Sequence, residues 1–230
     1  MTLIPYSLIP YSIFNINVMK RKLLTLILAI CALTISAQDA PITVKAKGAT
    51  PTISDFAWAL LSHMTTPAPN DGEEECINES ANAMKQAWIR HGKGQALRPG
   101  ETLTVDNRNG FVCYEYKNDS DVLRTEMCYW NEADGKHKLI AYCVTSFRDG
   151  RPEMGQYDGL SFYRYSNATK KMDYYYDYGF ETSYMTDDGA VTTYSLPRTG
   201  KDIIMNLWYK TAKKQKILKW NGHGFSSRAR

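Results

Sequence analysis

From Glu101 onward the chain alternates apolar and polar residues with a period of two, broken at short intervals by turn words. That period matches side chains pointing to opposite faces of a strand, and it leaves no room for a helix between successive runs. The expected strands are 101–106, 110–117, 122–131, 137–148, 159–166, 170–178, 190–196, 202–210 and 215–220. The words between them are Asn109-Gly110, Asp119-Ser120, Asp134-Gly135, Asp149-Gly150, Asp188-Gly189 and Asn221-Gly222, which suit tight turns between antiparallel strands. A parallel nucleotide-binding sheet needs crossover helices and is excluded by this pattern.

Two helices are expected ahead of the strands. Ile53, Phe56, Leu60, Leu61 and Met64 fall on one helical face, with Thr52 placed to cap it and Asp55 in its first turn. Pro67 and Pro69 mark the run 65–72 as a loop. A second helix is expected over 73–91, with Ile77, Ala81, Met84 and Trp88 as its apolar stripe. Glu73, Glu74 and Glu75 would suit its N-terminus, Arg90 and His91 its C-terminus, and Gly92 its end. The fold class is therefore α+β. A helical hairpin over 52–92 packs on an antiparallel meander over 101–225 of about eight or nine strands, closed as a curved sheet or a sandwich.

The N-terminal end reads as an export signal. Lys20, Arg21 and Lys22 precede an apolar run from Leu23 to Ile35, and small residues lead to a cut after Ala37. The run is shorter than the roughly 20 residues a membrane span needs, so no transmembrane span is expected in the mature chain. Residues 1–18 repeat the word Leu-Ile-Pro-Tyr-Ser and carry no charge, which marks them as an upstream extension with Met19 as the working start. Cys31 lies where a lipid-anchored protein would carry its acylated cysteine, but Ile30 stands where a small residue is wanted. Plain export to the periplasm or cell surface is expected, with a single globular domain over 38–230.

The leader takes three of the 28 basic residues and none of the 24 acidic ones, leaving 25 against 24 in the mature chain. A balance this even lacks the one-sign field that nucleic-acid phosphates or anionic membranes select, so no nucleic-acid partner is expected.

Chemistry is sparse. His63, His91, His137 and His223 fall in no His-Glu-x-x-His zinc motif, and no nucleophile elbow, phosphate-binding loop or dinucleotide fingerprint is present. No catalytic residue, metal site or cofactor is assigned. Cys76, Cys113, Cys128 and Cys143 remain after processing, an even number that permits two disulfides in three pairings. A hairpin turning within 118–121 would set Cys113 opposite Cys128, and one turning at Asp134-Gly135 would bring Cys143 near the same level. The glutamates before Cys76 oppose a reactive thiolate there.

Tyrosine is the one residue above background: 14 of 16 survive processing, and 173–179 reads Asp-Tyr-Tyr-Tyr-Asp-Tyr-Gly. On a strand, Tyr174, Tyr176 and Tyr178 share a face. With Tyr163 and Tyr165 they are the candidate ligand-binding residues, because flat rings with polar tips suit glycan or protein surfaces. The competing reading is that tyrosine, a favoured strand residue, covers a half-buried sheet face. An internal repeat pairs 110–118 with 159–167 at an offset of 49, matching at Gly, both Tyr and Asn.

The words Ile35-Ser-Ala-Gln38, Glu126-Met-Cys-Tyr-Trp-Asn131, Leu139-Ile-Ala141 and Leu218-Lys-Trp-Asn-Gly222, with Phe225, resemble small secreted proteins of Bacteroidetes bacteria. The resemblance implies a periplasmic or surface location and brings no catalytic residues. The reading is a non-enzymatic binding module of the bacterial envelope, with a glycan or an envelope protein as partner. Its rivals are a structural or inhibitor-like interaction protein, and an envelope hydrolase built on two carboxylates about 5 to 9.5 Å apart.

Overall fold

The computed structural model describes residues 40–66, 78–153 and 158–228. Helix α1 spans Ile53–Met64. The Asp55 carboxylate accepts hydrogen bonds from the Thr52 N–H at 2.8 Å and its hydroxyl at 3.0 Å, fixing the first turn as the sequence predicted. Helix α2 spans Glu79–Gly92. Its start is a correction to the expected Glu73: the Asn78 side chain accepts the Ala81 N–H at 2.9 Å, and Asn78 itself is extended, so the helix cannot continue back through it. Residues 73–77, including Ile77 and Cys76, lie outside the described part.

Twelve strands are described. The first sheet holds β1 Ile42–Thr43, β2 Glu101–Asp106, β3 Phe111–Asn118, β4 Asp121–Asn131, β5 His137–Arg148, β6 Arg151–Glu153, β7 Gly159–Ser166 and β8 Lys171–Tyr174. Their order is β1-β8-β7-β5-β4-β3-β2, with β6 on the β5 edge beyond β7, and every pairing is antiparallel. A second sheet of β9 Val191–Ser195, β10 Ile203–Trp208, β11 Lys213–Trp220 and β12 Phe225–Arg228 runs in the order β12-β11-β10-β9. The expected α+β class and antiparallel meander stand. The strand expected over 170–178 ends at Tyr174, and β1, β6 and β12 are additional.

The pleat of the first sheet sorts its side chains onto two cores. Val112, Tyr114, Met127, Ile140, Tyr142, Val144, Tyr163, Tyr165 and Met172 face the helices, where they meet Ile53, Phe56, Leu60, Leu61, Ala81 and Met84. Phe56 is the keystone of this layer, edge-on to Tyr165 at 5.0 Å and to Tyr129 at 5.4 Å. The opposite face offers Phe111, Cys128, Trp130, Leu139, Ala141, Cys143, Leu160 and Phe162 to Tyr194, Ile203, Leu218 and Phe225 of the second sheet.

The second sheet meets the first through its edge strand β9. At the N-terminal end of β9 the Thr192 N–H bonds the Tyr184 carbonyl at 2.9 Å. Further along, the Cys143 thiol reaches the Tyr194 carbonyl at 3.7 Å, and the Glu126 carboxylate accepts the Leu196 N–H at 3.3 Å. Side chains of the first sheet thus take the backbone groups that a neighbouring strand would otherwise take. One face of the second sheet, with Tyr194, Ile203, Leu218 and Phe225, seals the aromatic core. The other face, with Thr193, Ser195, Asn206 and Trp208, looks onto the remaining floor of the first sheet.

Candidate functional site

Where the outer face of the second sheet overhangs the end of the first, a cleft of about 340 Å³ opens. Its floor is Val122 and Arg124 of β4 with Thr145 and Phe147 of β5, and its wall is Thr193, Ser195, Asn206 and Trp208. Strand period explains the floor. Leu139, Ala141 and Cys143 of β5 lie in the aromatic core, and the next two residues on that face, Thr145 and Phe147, emerge into the cleft. Arg151 donates to the Lys210 carbonyl at 2.7 Å, tying the β5–β6 turn to the β10–β11 hairpin beside the cleft.

Two rings dominate. Phe147 and Trp208 stand edge to face with centroids 6.0 Å apart. The Trp208 indole N–H donates to the Thr193 hydroxyl at 2.9 Å, which fixes the ring's orientation. Asn206 donates to Ser195 at 3.3 Å and accepts from Gln215 at 2.9 Å, so the amide's direction is set as well. Cations sit on both rings: Lys213 Nζ lies 4.0 Å from the Trp208 ring centre, and the Arg124 guanidinium carbon 6.0 Å from that of Phe147. Such contacts are worth about 0.5–1 kcal/mol at exposed sites, little enough for a ligand to displace. Arg124 also holds Glu115 through Nε at 2.9 Å and Nη2 at 2.6 Å, while its Nη1 has no hydrogen bond among the described residues. Glu115 in turn pairs with Lys117 at 3.0 Å.

The expected tyrosine face is divided. Tyr165 is fully buried against Phe56, and Tyr163 and Tyr178 are each 8% exposed. Tyr178 lies over Phe162 at 4.3 Å, and its carbonyl takes the Phe225 N–H at 2.7 Å, which draws the chain out of the strand after Tyr174. Buried rings offer no surface to a ligand, so Tyr163, Tyr165 and Tyr178 serve packing. Only Tyr174 and Tyr176 are exposed, at 44% and 76%; their rings lie 4.6 Å apart, away from the cleft.

The cysteines follow the register. The turn at Asp119-Ser120, with Asp119 at φ +49°, closes Asn118 on Asp121. Cys113 therefore faces Glu126, as Cys143 does from the other side, and Cys128 faces Phe111 and Ala141. Cys113, Cys128 and Cys143 are free thiols. Burial and the nearby Glu126 carboxylate push the Cys113 thiol up to about 12, and the same two causes raise Cys128 and Cys143, which makes poor nucleophiles of all three.

A second polar cluster lies at the β4–β5 turn. Glu132, Asp134 and His137 bring ligand-type atoms within 4.8 Å of one another. Arg164 already holds Glu132 through two hydrogen bonds of 2.7 and 2.6 Å and reaches Asp134 at 3.5 Å, and Asp134 also binds His137 at 2.5 Å. Arg164 thus occupies the Glu132 carboxylate, while Asp134 is held by His137 and by the Lys136 and His137 N–H groups, so both carboxylates already have partners.

Sequence reasoning passed over Phe147, Trp208, Arg124 and Lys213. One signal for the cleft was available: from Ile203 to Arg230 the chain carries seven basic residues and no acidic one. An even total charge concealed that local excess. Against protein-family models, curated proteins and solved structures the chain gave no match. Among the described residues no helix is long and apolar enough to cross a membrane.

Proposed function

We propose that this is an exported, non-enzymatic binding module of the bacterial envelope, and that the cleft between its two sheets takes a saccharide. The observation that carries the reading is the pair of rings, Phe147 and Trp208, set in a concavity among fixed hydrogen-bonding side chains. Aromatic faces supply contact with the C–H side of a sugar ring, and Thr193, Ser195, Asn206 and Thr145 supply hydroxyl and amide partners. A pre-formed site of this kind loses little conformational entropy on binding. The hydrolase alternative has little support here: among the described residues no carboxylate lines the cleft, and the nearby Glu115 is held by Arg124.

A thermal-shift screen of the protein against polysaccharides and peptidoglycan fragments tests the reading. A ligand at 100 times its Kd adds about 2.7 kcal/mol, a shift of several degrees for a domain of this size. The shift is expected to vanish in Trp208→Ala and to persist in a Tyr174→Ala, Tyr176→Ala double variant. Loss in the tyrosine variant alone would move the site to the other face; no shift with any saccharide would remove the glycan reading.

A further inference from the structure

We infer that the saccharide taken by this cleft is acidic, carrying carboxylate or sulfate groups; this rests on the binding-module reading above. Three cations line the site, Lys117, Arg124 and Lys213; of the two acids beside Arg124, Glu115 is divided between Arg124 and Lys117, and Glu126 accepts the Leu196 N–H. Two of the three lie against aromatic rings, Lys213 over Trp208 and Arg124 near Phe147. A neutral sugar seeking the Trp208 face displaces Lys213 into water and forfeits its contact with the ring. An acidic sugar gives the displaced ammonium a carboxylate or sulfate partner at the moment it frees the ring.

Arg124 is built for the same task. Glu115 takes Nε and Nη2, so the guanidinium is held in place with Nη1 left to donate. The strand alternation extends the charge beyond the cleft. Lys219 lies on the same face of β11 as Lys213, six residues along, which is about 20 Å of strand and long enough to follow several sugar units. With no acidic residue between Ile203 and the C-terminus, nothing on this hairpin opposes a polyanion. Charge complementarity of this kind steers association and weakens as salt screens it.

The test is titration calorimetry with two matched pairs of probes: oligogalacturonate against its methyl ester, and dextran sulfate against dextran. The expected result is binding of an acidic member, at least about tenfold tighter than its neutral partner and weakened several-fold between about 0.05 and 0.5 M salt. Lys213→Gln and Arg124→Gln should each weaken the acidic probe by about threefold to tenfold. Lys93→Gln, which removes the same charge beyond the end of α2, should leave it unchanged. Lys213 is exposed, so its variant keeps the fold even if Arg124→Gln does not. Equal binding of acidic and neutral partners would overturn the acidic assignment and leave the saccharide reading intact. Equal losses in Lys93→Gln and Lys213→Gln would overturn the placement in this cleft. Binding of no probe, charged or neutral, would remove both.

Discussion

The two faces of the first sheet are covered in different ways. The helix face is covered over its centre by α1 and α2, and Ile140, Tyr142 and Val144 of β5 are all buried in the core they close. The opposite face is shared. The second sheet stands on it by one edge strand, so β5 runs from an aromatic core at Leu139, Ala141 and Cys143 into an open cleft at Thr145 and Phe147. A layer laid flat makes a core; a layer set on edge makes a core and a cleft at once. Stability should therefore reside in the helix face and the aromatic core, and ligand recognition in the remainder.

The largest effect should come from Phe56→Ala, which removes the ring between α1 and the sheet. A loss of about 3–5 kcal/mol in denaturant unfolding is expected, and the same from Phe162→Ala in the aromatic core. A loss below about 1 kcal/mol at Phe56 would mean that the helices are an appendage to the sheet, and the contrast between the faces would fail.

Next in size is Gly179→Ala. Gly179 has φ +92°, and an added Cβ would lie 2.3 Å from the Phe225 carbonyl oxygen, where the Tyr178 loop crosses the start of β12. A loss of about 1–3 kcal/mol is expected from the strained backbone and the clash. Gly189→Ala, with φ +79° and nothing within 4 Å, isolates the backbone part of that loss.

Glu126 offers a pH test of the docked edge. Burial raises its pKa above the usual 4.5, although the Leu196 N–H and Arg124 pull the other way. The folded state thus holds the proton more tightly than the unfolded chain. Its contribution is fully present below the unfolded pKa and is lost as pH rises from there through the raised folded value. Glu126→Gln should remove that fall, so the difference in stability between variant and wild type should grow with pH over this window. A constant difference would show that Glu126 is not desolvated beneath β9.

Smaller still, Trp208→Ala should cost about 1–2 kcal/mol of stability while abolishing ligand-induced stabilisation, because the ring is only half-buried. Tyr176→Ala should stay within about 0.5 kcal/mol and leave binding unchanged, since the side chain is 76% exposed and its ring lies against that of Tyr174. If these two exchanged roles, the recognition face would be the one beside the helices.

Much of the fold was legible because local signals decided it. The strand over 101–106 and that over 137–148 match β2 and β5 residue for residue, since turn words bound them. The division into two sheets was not legible, because it depends on which edge meets which face. Tyr178 shows the limit most clearly. Its spacing fits an exposed stripe with Tyr174 and Tyr176, yet Phe162, Phe180 and Phe225 provide a pocket that draws it inward. The cleft escaped for a similar reason: Arg124 and Trp208 are 84 positions apart, and only the register of two sheets brings them to one site.

An open strand edge is a template for a second molecule, and a small sheet that stood free would have two of them. By spending a half-buried carboxylate and a thiol on backbone groups along β9 and its end, the protein withdraws one of those edges from neighbouring molecules. Glu126 and Cys143 then act against polymerisation as much as for folding.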